Sequence, residues 1–141
     1  MFKKILVPLD LQDGKAVEQT LQTVKEYIDE SVELHLMTIL SGYQMPMVAS
    51  YFPKGAVEKA LEAMREELQT IGAKALDDRG FEVDVREGKA HIEIVRRAKE
   101  IGADLIIMSA QKHGTVEKVM LGSVTAKVTE RAKCSVLVLK G

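Results

Sequence analysis

The sequence has a single cysteine, three prolines, three phenylalanines, three tyrosines and no tryptophan in 141 residues. Each scarcity removes a class of function. With Cys134 alone, the chain forms neither an internal disulfide nor a zinc site built on several thiolates, and a reducing cytoplasmic setting fits. So few aromatics leave no base-stacking platform. The 20 basic and 21 acidic side chains nearly cancel to a net charge of -1, so no global field favours nucleic acid or an anionic membrane. Long apolar runs are absent too. The opening MFKKILVPLD carries a short apolar run broken by Pro8, too brief for a secretion signal or a membrane span, so it reads as part of the fold and no membrane insertion is expected. The length suits one domain, 1–141, with a core that needs no metal or cross-link.

Apolar runs and helical patterns alternate along the chain. Ile5 to Leu9 reads as a buried strand ending at Asp10, with Gln12, Asp13 and Gly14 as its exit turn. Val17, Leu21, Val24 and Ile28 recur at helical spacing, and VELHLMTIL (32–40) is apolar enough to be a central strand. Val57, Leu61, Met64, Leu68, Ile71 and Ala75 predict a long amphipathic helix ending near Gly80, and a coiled coil is disfavoured because the heptads are few and Gly72 interrupts them. FEVDVRE (81–87) alternates strictly, as an edge strand with one polar face would. Ile92, Val95, Ala98 and Ile101 give a helix stopping at Gly102, followed by a strand over 105–108. Val124, Val128 and Ala132 mark a last short helix, and SVLVL (135–139) reads as another buried strand. The order β-α-β-α-β-α-β-α-β predicts an α/β fold, an open five-stranded parallel sheet with helices on both faces. Ligands of such sheets sit beyond the carboxyl ends of the strands, where the strand order reverses.

Known catalytic signatures are missing. There is no GxxxxGK[ST], GxGxxG or GxSxG, and Ser123 has no evident base partner. His35, His91 and His113 are scattered without an i, i+4 pair, so no metal site is expected. Cys134 reads as a packing residue, and Glu58, Glu62, Glu66 and Glu67 with Lys59 and Arg65 as a solvated helix face. Two features remain. Asp10 ends the first strand, where its carboxylate can accept from a ligand or from its own turn. Gly122 and Ser123 begin the last helix, where free amide groups and the helix dipole favour an anion, and where a serine can equally act as an ordinary N-cap. The irregular segment 41–55, with Tyr43, Met45, Met47, Val48, Tyr51 and Phe52, reads as a lid over a ligand, a partner contact or a cover for the core. A phosphorylated receiver is disfavoured because Asp10 has no adjacent acid, and a flavin carrier because the first loop lacks hydroxyls.

Three blocks, KKILVPLD, IGADLIIMSAQKHG and LGSVTAKVTERAKCSVLVLK, together resemble the universal stress protein family, and the resemblance extends over essentially the whole chain. It implies a Rossmann-like, adenine nucleotide alpha hydrolase-like sheet with strand order 3-2-1-4-5. In ATP-binding members the phosphate loop reads Gly, two residues, Gly, nine residues, then Gly followed by Ser or Thr. Aligned on Gly122 and Ser123, the two upstream glycines are replaced by Ser109 and Lys112. The resemblance implies a pocket for ATP, or for AMP or ADP, made from Pro8, Leu9, Asp10, Ile39, Ser109, Ala110, Gln111, Lys112, Gly122, Ser123 and Val124. Magnesium would enter only with a nucleotide. A side chain at position 112 opposes a positive φ, whereas the lysine charge can replace a backbone contact to phosphate and Gly114 can absorb the turn. The family also implies a homodimer through the final strand and a regulatory protein, not an enzyme, with at most slow incidental ATP hydrolysis. The alternative is a dimeric stress-response interaction module that has lost its nucleotide.

Overall fold

The structure is a computed structural model that describes residues 1–42, 51, 53–110 and 122–140. Strands and helices alternate as the hydrophobic pattern predicts: β1 (Lys4–Pro8), α1 (Gly14–Tyr27), β2 (Glu33–Leu40), α2 (Ala56–Leu76), β3 (Glu82–Glu87), α3 (Ala90–Ile101), β4 (Leu105–Ser109), α4 (Ser123–Arg131) and β5 (Ser135–Leu139). The sheet is parallel throughout with order β3-β2-β1-β4-β5, so the order reverses between β1 and β4. Successive right-handed crossovers on either side of that reversal put α1 and α2 on one face and α3 and α4 on the other.

Each face owns a core. Ile5, Val7, Leu34, Leu36 and Ile107 meet Val17, Leu21 and Val24 of α1 and Leu68 of α2. Leu6, Met37, Ile106 and Met108 meet Ile94 and Ala98 of α3 and Val128 of α4. Alternation along the strands explains the split, since successive side chains point to opposite faces. The inner strands β1 and β4 bury both sides, which is why they read as continuous apolar runs.

Several local expectations are revised. Helix α2 stops at Leu76, short of Gly80, because Asp77 adopts a positive φ of 53° and turns the chain. That turn brings Phe81 back over Gly72, where an added Cβ would sit 2.6 Å from the ring, so Gly72 makes room for the ring. Arg79 fastens the same corner: its Nη1 donates to the carbonyls of Asp29 (2.7 Å) and Ile28 (3.3 Å), and its Nη2 to that of Val32 (2.8 Å). On α3 the inward positions are Glu93, Ile94 and Ala98, and Ile92 of the expected apolar stripe is exposed.

The two sheet edges differ. On β3, Val83 and Val85 face α2, while the polar side meets α3 in place of open water: Arg86 binds Asp84 (2.6 Å) and Glu100 (2.7 Å) and lies 3.7 Å from Glu93, and Arg97 lies 3.9 Å from Asp84. Strand β5 is not the buried strand that SVLVL suggests. Val136 packs on the α3 and α4 side, but Leu137 is 42% exposed on the opposite side. Leu137 is in register with Ile107, whose side chain α1 helps to cover, and the outermost strand lies beyond that helix.

Asp104 ties the amino edge of the sheet together, accepting the Lys3 N–H at 2.8 Å and the Lys4 N–H at 3.1 Å. The Lys3 amide bond leads in lowering its pKa, against a smaller opposing effect of burial. A carboxylate depressed in the folded state contributes stability above its unfolded pKa, near 4, and loses it as the pH falls through the folded value. Asp104→Asn should therefore flatten the acid limb of the stability curve, read by urea unfolding from about pH 6 to about pH 2. An unchanged limb would show that these amide bonds carry no proton linkage.

Candidate functional site

The candidate site lies at the carboxyl ends of β1, β2 and β4, around the reversal between β1 and β4. Pro8 closes β1 opposite Met37 of β2. Leu9 extends the pairing by one residue, its N–H donating to the Met37 carbonyl at 2.7 Å while its side chain is buried. Asp10 then stands exposed at the edge. One carboxylate oxygen, Oδ1, accepts the Gln12 N–H at 3.0 Å, and the Asp10 carbonyl accepts the Asp13 N–H at 3.0 Å. The turn role foreseen for Asp10 is thus present, and Oδ2 has no partner among the described residues. Asp13, which the sequence offered only as a turn residue, caps α1 by accepting the Ala16 N–H at 3.2 Å.

Ile39, on β2, is half-buried against the α3 and α4 core and pairs with Arg86 of β3. Beyond it the Gly88 N–H donates to the Leu40 carbonyl at 3.0 Å. Gly88 has φ 150°, and a Cβ there would lie 2.9 Å from Cγ of Glu93, so the turn fits against that side chain.

Ser109 ends β4, and its carbonyl accepts the Thr125 hydroxyl at 3.4 Å, which joins the strand end to the first turn of α4. Thr125 is 4% exposed and was not foreseen, since nothing in its sequence surroundings marks a contact across sixteen positions. Ala110 is buried, its N–H donating to the Leu139 carbonyl at 2.8 Å. Gln111 and Lys112 lie outside the described residues, as do His113, Gly114 and most of the segment 41–55.

At the start of α4 the alternative reading of Ser123 as an N-cap does not hold. Gly122 occupies the capping position, with no side-chain hydrogen bond to the first turn, and Ser123 is the first helical residue with its side chain exposed. Gly122 has φ -64° and ψ 159°, angles open to any residue. No described atom lies within 4 Å of where its Cβ would be. Neither backbone strain nor packing among the described residues demands a glycine here. What its hydrogen provides is close access to the amides of the first turn, which also contains no acid to offset the dipole. Val124 points its side chain into the second core, so only its backbone faces the edge.

The remaining candidates fall elsewhere. His35 is buried within the sheet, its Nε2 2.6 Å from Glu33 and its Nδ1 3.4 Å from Glu82, well back from the carboxyl edge. Burial leads in pushing the Cys134 thiol up, which suits a packing residue and not a nucleophile. Among the described residues no group of three or more His, Cys, Asp and Glu side chains could hold a metal ion. No helix among them is long and apolar enough to cross a membrane.

A family model described as the universal stress protein family matches residues 1–140. A universal stress protein of Methanothermobacter thermautotrophicus is 32% identical, with 96% of this chain and 94% of that protein covered. Universal stress protein MJ0577 of Methanocaldococcus jannaschii is 30% identical, with 99% of this chain and 96% of that protein covered. Its solved structure superposes with a TM-score of 0.73, covering 100% of this chain and 97% of that one. A universal stress protein solved in complex with cAMP is 23% identical with a TM-score of 0.63, covering 99% of this chain and 97% of that one, a likeness of fold.

Proposed function

The chain belongs to the universal stress protein family, and from that premise we propose that it binds an adenine nucleotide at the carboxyl edge of its sheet as a regulatory ligand. One observation carries the reading. Gly122 is a glycine that neither its backbone angles nor packing among the described residues requires, placed at the uncapped amide end of α4. The free oxygen of Asp10 and the half-buried Ile39 lie on the same edge, suited to a ribose hydroxyl and to the flat face of a base. The phosphates would rest on the amides of Ser123 and Val124, with Ser109, Ala110, Gln111 and Lys112 completing the pocket. A magnesium ion would arrive on the phosphates, since among the described residues no acid cluster stands ready for it. Hydrolysis would be slow and incidental for the same reason. The cAMP complex of a protein with this fold supports the ligand class.

Acid extraction of the purified protein followed by titration with a fluorescent ATP analogue tests the reading. Co-purified adenine nucleotide or saturable binding is expected, and the lack of both would end it.

A second reading, a cytoplasmic homodimeric interaction module without nucleotide, draws on β5. Leu137 is exposed, and next to it runs an open groove of about 380 Å³ lined by Gln19, Gln22, Thr23, Leu139 and Lys140 among others. Pairing of β5 with its copy would cover both, and the dimer is compatible with either reading. The combined Ser109→Gly and Lys112→Gly variant separates them. Gained affinity for ATP would mean that the parent loop has lost the ligand, and reduced affinity would mean that Lys112 holds phosphate.

A further inference from the structure

The seam between α3 and α4, where Ala90 and Val95 pack in one cluster with Val124, Val128 and Ala132, carries a group of cations. Lys127 and Arg131 stand four residues apart on α4 and so project from one side of that helix, both exposed. Lys89 is the capping residue of α3, and His91 lies in its first turn, half-buried. The charges of Lys127, Arg131 and Lys89 all act on His91, lowering its pKa together with the larger effect of burial, and no carboxylate offsets them. Among the described residues none of these four side chains has an acidic partner within salt-bridge distance. The contrast with the neighbouring surface is sharp, since Arg86, Arg96 and Arg97 on the other side of α3 are all paired. Glu93, the acid in the first turn of α3, is turned inward and engaged by Arg86 and Arg96, so it does not neutralise the seam. The first turn of α4 contains no acid at all. Like charges held together without counterions raise the free energy of the unliganded surface, and a multivalent anion relieves it.

We propose that the Lys89, His91, Lys127 and Arg131 seam is a binding site for a condensed phosphate anion, made of residues other than those of the nucleotide pocket. The chemistry selects the class. Lysine and arginine give several donors along a line, which suits a chain of phosphoryl groups better than one small anion. The net charge of -1 gives no global attraction for nucleic acid, so the affinity is local. The phosphates can come from free inorganic polyphosphate or from the tail of a nucleotide.

The test uses inorganic tripolyphosphate as the probe, with ATP and uncharged adenosine as separate arms. Isothermal titration should show salt-sensitive tripolyphosphate binding, weakened about tenfold by the combined Lys127→Ala and Arg131→Ala variant, each contact in such an exposed pair being modest. Lys127→Arg should retain it. In NMR titrations the His91 midpoint should move up when tripolyphosphate is bound, because the anion offsets the cations around the ring. Adenosine should leave that midpoint unmoved, and an effect of ATP that Gly122→Asp does not abolish would assign the nucleotide tail as a second source. Undiminished binding by the double variant, or a His91 midpoint indifferent to tripolyphosphate, would overturn the proposal. Neither result depends on nucleotide binding at the carboxyl edge.

Discussion

Replacing Gly122 with aspartate is expected to make the protein more stable and less able to hold a nucleotide. The backbone at Gly122 accepts any side chain, and no described atom obstructs a Cβ. Aspartate there would accept from the bare first turn of α4 and complement its dipole, adding about 0.5–1 kcal/mol. The same carboxylate would occupy the amides proposed for the phosphates and place a like charge beside them. At about 4 Å that repulsion costs roughly 1–4 kcal/mol, depending on how far water screens it. A loss of at least about fivefold in affinity follows. Thermal melting and titration with a fluorescent ATP analogue read the two effects, with Gly122→Ala as an uncharged, non-capping control. A variant that gains stability and binds as tightly as the parent would remove the start of α4 from the site. The gain in stability separates the expected variant from one that loses binding by unfolding.

The second large effect is at Arg79. Its guanidinium gathers three carbonyls, from Ile28, Asp29 and Val32, and so holds the α1–β2 connection against the end of α2. Truncation to alanine leaves those oxygens to water where they are reachable and unpaired where they are not. Charge-assisted bonds discounted for partial exposure put the loss at about 2–3 kcal/mol. Arg79→Lys should recover less than half of this, because one ammonium cannot span carbonyls that the planar fork reaches together. Urea unfolding should show a lower midpoint with the slope unchanged. An alanine variant within about 0.5 kcal/mol of the parent would mean that the corner holds without the clamp.

The architecture was legible because each element announces itself locally. The apolar runs of β1 and β4 and the Val17, Leu21 and Val24 spacing need no knowledge of the rest of the chain. Most of the misreadings are non-local. Nothing in the helical pattern reveals that α2 ends at Leu76, where Asp77 turns the chain and lets Phe81 return to Gly72. The polar side of FEVDVRE looks like a solvent face until α3 supplies Glu93, Arg97 and Glu100. SVLVL has the composition of an inner strand and occupies the rim. Arg79 had no local signal at all, its partners lying about fifty residues upstream. At the candidate site, the placement of Asp10, Ile39, Ser109 and Gly122 on one edge followed from the element order. The capping role given to Ser123 did not hold, because whether a helix begins at a residue or just before it is decided by backbone angles and not by residue type.

The unequal rims of the sheet set a limit on growth. Strand β3 has charged side chains locked to α3, and charges on a rim strand make it a poor template for another chain. Strand β5 has no such guard, and Leu137 is left bare. A sheet protected at one rim and open at the other can be extended from one side only. Two copies joined through β5 would hide both open rims and present a protected one at each end, so addition would stop at ten strands instead of running on into a fibre.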